Sequence, residues 1–494
     1  MSVSVLAVAS EAYPLVKTGG LADVVGALPD ALRVEDIDVR TLVPGYREVL
    51  RAVDERNVVR RFAMLHGGPA HVLAARVADN PMFVLDAPHL FDRPGNPYVA
   101  SDGKPWADNA NRFAALAYAG ATIARDGIGD FHPQIVHAHD WQAGLLPAYL
   151  HFMPAPRPLS MMTIHNLAFQ GLFPASIFAS LDLPGQAFGI DGVEYYGDVG
   201  YLKAGIAYAD SVTTVSPTYA AEIRTPEGGM GLDGLLRKRS EVLVGIRNGI
   251  DEAVWDPAND RYLVARYDAS TLEARPANKA WLQKRMGLDA DPAALLFIAV
   301  SRLTAQKGSD LLLAALPALL RRGAQLAVLG TGDTELEQRF TAAADAHSGR
   351  IAVEITFDES IAHRMQGGAD ALLMPSRFEP CGLTQLIALR YGVVPVVARV
   401  GGLADTIVDA NEMALASDAG TGVQFAPGSS EMLECAIART CDLWRDPIEW
   451  RRMQKRGMRT DVSWRAPSRA YAALFRALAS SDRYTPLTRA GPEG

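Results

Sequence analysis

Short apolar runs recur along this chain, each closed by Gly, Pro, His or Asp and followed by a helical pattern. They are VSVLAVAS (3–10), QIVHAHD (134–140), SMMTIHN (160–166), DSVTTVSP (210–217), ALLFIAVSR (294–302), QLAVLGTGD (325–333) and DALLMPSR (370–377). Such runs suit strands buried on both faces, and their alternation with helices predicts parallel sheets in an α/β architecture. One series ends near residue 245 and a second begins near residue 293. Between them lies the polar stretch DEAVWDPANDRYLVARYDASTLEARPANK, and the helical pattern NKAWLQKRMGL opens the second series.

Two doubly wound, Rossmann-like domains are therefore expected, residues 1–250 and 251–465, with a C-terminal helix and tail over 466–494. In that helix Tyr471, Leu474, Phe475 and Leu478 share one face, and the last dozen residues read as a frayed end. Facing domains of this kind would form a central cleft lined by the C-terminal ends of both sets of strands, where open α/β sheets bind ligands.

Composition narrows the class. A chain of 494 residues exceeds one ordinary core. Apolar residues at 49% and charged ones at 21% fit a soluble, folded protein. A net charge of −8 argues against nucleic-acid or anionic-membrane partners, which need a basic face. The three cysteines, Cys381, Cys435 and Cys441, form no CxxC pair, so a reduced, cytoplasmic setting is expected rather than a disulfide framework or a cysteine zinc site. MSVSVLAVAS lacks a basic start and runs into Glu11, which reads as a first strand and not a signal peptide. No apolar run is long enough for a transmembrane helix.

The strand ends hold the unusual residues. In EAYPLVKTGGLADVVGALP, Lys17 and the pair Gly19-Gly20 precede a helix, a pattern that suits either phosphate binding or a plain strand-to-helix turn. In VSRLTAQKGSDLL, Arg302 and Lys307 flank a loop entering a helix near Ser309; the pair is either an anion site or a solvated turn. Gly330 and Gly332 in LGTGD either admit a nucleotide or make a tight turn, with Asp333 as N-cap. His137 and His139 share one strand face beside Asp140, which raises a metal reading, but no third ligand follows at a convincing spacing. His165 and Asn166 in TIHN offer hydrogen bonds to a polyhydroxylated ligand. RFEPCGLTQ sets a lone carboxylate, Glu379, in a stiff turn before a helix; a structural loop has a use for Pro380 and Gly382 but gains nothing obvious from the carboxylate, which a binding loop would use. Cys381 has no His or Asp close in sequence to activate it as a nucleophile.

Taken together, KTGGLADVVGALP, HAHDWQAGLLPAYL, TIHNLAFQG, YLKAGIAYADSVTTVSPTYAAEI, EGGMGLDGLLR, RNGID, SRLTAQKG, HRMQGGAD, PSRFEPCGLTQ and GGLADTI resemble, in this order, the bacterial glycogen synthase and plant starch synthase family of retaining GT-B glucosyltransferases. The resemblance spans nearly the whole chain. It implies transfer of glucose from ADP-glucose to the non-reducing end of an α-1,4-glucan such as glycogen, with ADP released and with neither metal nor cofactor. It further implies that Arg302 and Lys307 hold the distal phosphate, and that Glu379 with Cys381, Gly382, Leu383 and Thr384 holds the glucose. Lys17, Gly19, Gly20, Gly330 and Phe357 are implied in donor binding, His165 and Asn248 in glucose contacts, and Asp23, His139 and Asp140 in lining the cleft.

Three positions depart from the family pattern. Phe357 stands where a tyrosine is frequent, ALRVEDIDVR lacks a glycine before the second strand, and Arg247 replaces an apolar residue. Ile387 occupies the position of a second glutamate found in many other retaining GT-B enzymes, which favours the glycogen synthase branch. A UDP-glucose donor and a non-catalytic glucan-binding scaffold are the competing readings.

Overall fold

The computed structural model describes residues 2–77, 80–155 and 157–481, so the expected frayed end lies outside the described residues. The chain divides into two compact units. The first runs to Asn248 and is rejoined at Trp464; the second runs from Gly249 to Ser463.

The first unit is built on strands β1 (Val3–Val8), β2 (Ile37–Pro44), β3 (Asp54–Leu65), β4 (Gly68–Val77), β5 (Asn80–Asp86), β6 (Ile135–His139) and β7 (Leu159–Ile164). Three short strands follow, β8 (Leu172–Phe173), β9 (Glu194–Tyr195) and β10 (Asp198–Gly200), then β11 (Ser211–Thr214) and β12 (Leu243–Gly245). The main sheet has the order β12-β11-β7-β6-β1-β2-β5-β4-β3, and β8, β10 and β9 form a separate small sheet. Strands β12 to β5 of the main sheet pair in parallel. The far edge departs from the all-parallel expectation: β3 and β4 pair antiparallel, closed by His66 and Gly67, both at positive φ. A two-residue turn of that kind matches the twist of an antiparallel pair.

The second unit carries β13 (Leu296–Val300), β14 (Gln325–Leu329), β15 (Ile351–Glu354), β16 (Ala371–Met374), β17 (Val394–Ala398) and β18 (Val423–Phe425). They form one parallel sheet in the order β15-β14-β13-β16-β17-β18. The expected apolar runs are buried along their length; every residue of β14, β16 and β17 is buried.

The helix Arg465–Ala479 returns to the first unit, where Tyr471 and Phe475 pack in one core with Val5, Leu28 and Ile37. Among the described residues no helix is long and apolar enough to cross a membrane. In each main sheet the strand order reverses beside the first strand, between β1 and β6 and between β13 and β16. Loops leaving such a reversal diverge, which opens a crevice at the carboxyl ends of the strands.

Candidate active site

In the second unit the reversal point is closed by an ion pair. The loop after β13 brings Lys307 and the loop after β16 brings Glu379, with Lys307 Nζ 2.6 Å from Glu379 Oε2. Ser376 Oγ donates to the same oxygen at 3.1 Å, and Glu379 is only 4% exposed. A carboxylate so buried needs such partners, since burying an unpaired charge costs several kcal/mol. Glu379 Oε1 and two of the three ammonium protons of Lys307 lie outside this contact.

The two loops are locked to each other. Arg377 donates to the Ala305 carbonyl at 2.6 Å and grips Asp310 with both guanidinium nitrogens at 2.7 Å. Gly308, at φ +69°, passes so close that a Cβ there would lie 2.0 Å from the Pro375 carbonyl oxygen. From below, Gly402 N–H donates to the Glu379 carbonyl at 3.0 Å, and a Cβ on Gly401 would lie 2.0 Å from that same oxygen. Gln385 Nε2 takes up the carbonyls of Cys381 and Gly382 at 3.0 and 2.9 Å. With its carbonyls tied down, the turn Cys381–Leu383 leads into the helix Thr384–Arg390, whose N-cap has no side-chain hydrogen bond. Cys381 is a buried free thiol.

Arg302 is exposed at the start of the Lys307 loop. Gly330 fits against that same loop, where a Cβ would lie 1.9 Å from the Ser301 carbonyl oxygen. Asp333 caps the next helix as its position suggests, accepting from Glu335 N. Phe357, on the loop after β15, is 70% exposed.

The first unit answers with buried, largely neutral groups. His139 Nδ1 and His165 Nε2 lie 2.9 Å apart, so one imidazole donates to the other. His137 Nε2 lies 2.6 Å from Thr163 Oγ1. Burial pushes His137 and His165 down to about 3 and holds His139 well below the usual histidine range. Asp140, at φ +55°, accepts from the His165 amide at 2.7 Å, yet burial still pushes its carboxyl up to about 7. Asn248 is buried, and its Oδ1 has no hydrogen-bond partner. Among the described residues no group of three or more His, Cys, Asp or Glu is placed to hold a metal ion.

Lys17 meets Asp23 at 2.7 Å across the first turn of the helix Gly20–Arg33. Gly19 and Gly20 are exposed at its start. The unforeseen residue here is Glu11. Only 2% exposed, it accepts from Thr18 Oγ1 at 2.7 Å, from the Thr18 and Gly19 amides, and from Tyr98 OH. Burial raises its pKa, and the bonds from Thr18 and Tyr98 oppose that rise. Two amides of the KTGG loop thus face an internal carboxylate, which fixes the loop from behind. The acid at position 11 is visible in the sequence, but its partner Tyr98 is 87 residues away.

These clusters can be set beside known proteins. The family profile described as starch synthase catalytic domain matches residues 4–238, and that of glycosyl transferases group 1 matches residues 284–458. The chain is 58% identical over 96% of its length to the glycogen synthase of Rhodopseudomonas palustris strain BisA53, of which 97% is covered. It is 58% identical to that of Acidiphilium cryptum, with 96% of this chain and 99% of the relative covered, and 53% identical to that of Mesorhizobium japonicum, with 97% and 99% covered. Among solved structures, the catalytic domain of starch synthase IV from Arabidopsis thaliana, bound to ADP and acarbose, superposes with a TM-score of 0.87 at 29% identity, covering 97% of this chain and all of that one. The sucrose-phosphate synthase of Thermosynechococcus elongatus, at 17% identity, TM-score 0.61 and coverage of 96% and 99%, shares the fold.

Proposed function

The chain belongs to the glycogen and starch synthase family of GT-B glycosyltransferases, and from that premise we propose that it transfers glucose from ADP-glucose to the non-reducing end of an α-1,4-glucan such as glycogen. The C1–oxygen bond to ADP breaks, the acceptor's 4-hydroxyl oxygen bonds to C1 on the same face, and its proton passes to the departing phosphate. The anomeric configuration is retained.

The observation that carries this reading is the Lys307–Glu379 pair at the reversal point of a fully parallel sheet. Lys307, with Arg302 in the same loop, offsets the charge that develops on leaving ADP. Glu379 and the turn Cys381–Thr384 hold the sugar hydroxyls, and Phe357 offers a face for the adenine to stack on. In the first unit His165 and Asn248 contact the glucose, and Lys17 with Gly19 and Gly20 meets the donor. Asp23, His139 and Asp140 line the path of the acceptor. Neutral imidazoles suit an uncharged sugar, because they hydrogen-bond without adding a charge. The free thiols of Cys381, Cys435 and Cys441 support a reducing, cytoplasmic setting.

The test is ADP release from ADP-glucose with glycogen in EDTA, against UDP release from UDP-glucose. Turnover with ADP-glucose, at least tenfold above UDP-glucose, is expected. Preference for UDP-glucose would overturn the donor assignment, and no turnover with either donor would overturn the reaction.

A further inference from the structure

The hairpin between β9 and β10 has an unusual residue at its tip. Tyr195 pairs with Asp198, so Tyr196 and Gly197 form a two-residue turn with φ of +51° and +88°. Turns with two positive φ values take Asn, Asp or Gly first, since a Cβ-bearing bulky residue is strained there. This chain puts a tyrosine in that place, and its side chain is 82% exposed.

The surroundings hold it there. Tyr195 packs edge-on against Tyr196, with ring centroids 4.8 Å apart. Tyr195 OH donates to the Met230 carbonyl at 3.2 Å, and the neighbouring Gly231 leaves room, since a Cβ there would lie 2.4 Å from that hydroxyl. Lys203 Nζ donates to the carbonyls of Ile190, Gly192 and Glu194 at 2.6, 2.8 and 2.5 Å, which sets the approach to the hairpin. Gln170, five residues beyond His165, also donates to the Met230 carbonyl at 3.0 Å. The aromatic tip is thereby tied to the segment that leaves His165.

Charge selects the ligand class. No lysine or arginine lies between Arg157 and Lys203, whereas Asp182, Asp191, Glu194 and Asp198 do. The ammonium of Lys203 is spent on backbone carbonyls. Lys238, from outside that stretch, is paired with Asp191 at 2.7 Å, so beside the hairpin the structure offers aromatic surface and carboxylate acceptors, which fits a neutral polyhydroxylated chain.

We propose that Tyr196, braced by Tyr195, is a stacking subsite for the growing α-glucan, gripping a glucosyl unit of the acceptor and not the donor. The proposal rests on the glucan-elongating reading above and names where part of the acceptor is held.

The experiment compares the full-length protein with Tyr196→Gly and Tyr196→Phe, measuring maltoheptaose binding by calorimetry, KM for glycogen and for ADP-glucose, and the melting temperature. Tyr196→Gly removes the ring and relieves the positive φ, so its melting temperature should be unchanged or higher. Its maltoheptaose affinity should fall roughly three- to tenfold, on the scale of one aromatic contact. KM for glycogen should rise in step while KM for ADP-glucose stays put. Tyr196→Phe should keep the affinity. Unchanged maltoheptaose affinity in a folded Tyr196→Gly protein overturns the proposal, as does an equal loss for donor and acceptor. Wild-type protein that binds maltoheptaose through Tyr196 but never turns over ADP-glucose would leave the subsite standing and sink the transferase reading.

Discussion

The two sheets reverse their strand order in the same way, but the residues at the two reversal points differ in kind. In the second unit the loops meet through charge, Lys307 on Glu379, with Arg302 exposed close by in sequence. In the first, three buried imidazoles are held neutral and Asp140 titrates near neutrality, and the charged pair there, Lys17 with Asp23, lies apart from them where the loop after β1 enters its helix. Fixed charge is useful where charge appears during the reaction; neutral donors and acceptors are useful where a polyol must be held without competing ions. On the proposed reaction, the contrast suits the leaving-group charge to the second unit's pair and much of the glucan's hydroxyls to the neutral groups of the first.

The largest effect should come from breaking the charged side. Glu379→Ala removes the proposed acceptor for the sugar hydroxyls and takes the carboxylate from Lys307, so kcat should fall by about 10²–10³ or more while the fold persists. Steady-state kinetics with circular dichroism as control will check it. A fall under about fivefold would place the sugar grip elsewhere.

Gly401→Ala tests the support and not the charge. Its Cβ would meet the Glu379 carbonyl at 2.0 Å, so the Pro380–Gly382 turn must shift. A displacement near 1 Å costs on the order of 10² in rate. Normal kcat in this variant would show that the turn tolerates movement.

The neutral side is sharpened by pH. Histidines depressed to about 3 in the fold bind fewer protons than the unfolded chain between pH 6.5 and 3, so their contribution to stability is lost as pH falls through that range. Asp140, raised to about 7, works the other way, and its contribution is lost as pH rises from about 4 through 7. Melting temperatures should therefore drop on acidification below pH 6.5. Asp140→Asn should remove the part that declines toward neutrality, and an identical pH profile in that variant would refute the neutral, buried carboxyl.

Cys381→Ser should matter least, leaving activity within about threefold, because the thiol is a small buried group in a turn held through its backbone carbonyl by the Gln385 side chain. Complete loss in a folded protein would make the sulfur itself essential.

The buried parallel strands were legible because a strand covered on both faces reads as an apolar run, and β13, β14 and β16 lie inside the predicted segments. The β3–β4 hairpin was not, since the edge strand DERNVVRRFAML carries charges along its length and has no such run. Lys307 and Glu379 stood out as strand-end residues, yet the contact between them crosses 72 residues and no local pattern encodes it. The His139–His165 pair and the brace of Gly401 and Gly402 beneath Glu379 are hidden for the same reason. The stretch after residue 250 is polar in sequence, yet Asp260 within it is buried, 2.8 Å from His363 Nδ1 and 2.7 Å from Tyr391 OH. A buried acid with distant partners looks the same in sequence as an exposed one.

The most direct test is kcat of Lys307→Ala with ADP-glucose and saturating glycogen, beside the KM for glycogen. Loss of an electrostatic partner to the leaving ADP should lower kcat by about 10²–10³, with the glycogen KM within about threefold of wild type. A near-normal kcat would contradict the assignment of the leaving-group charge to the second unit's ion pair.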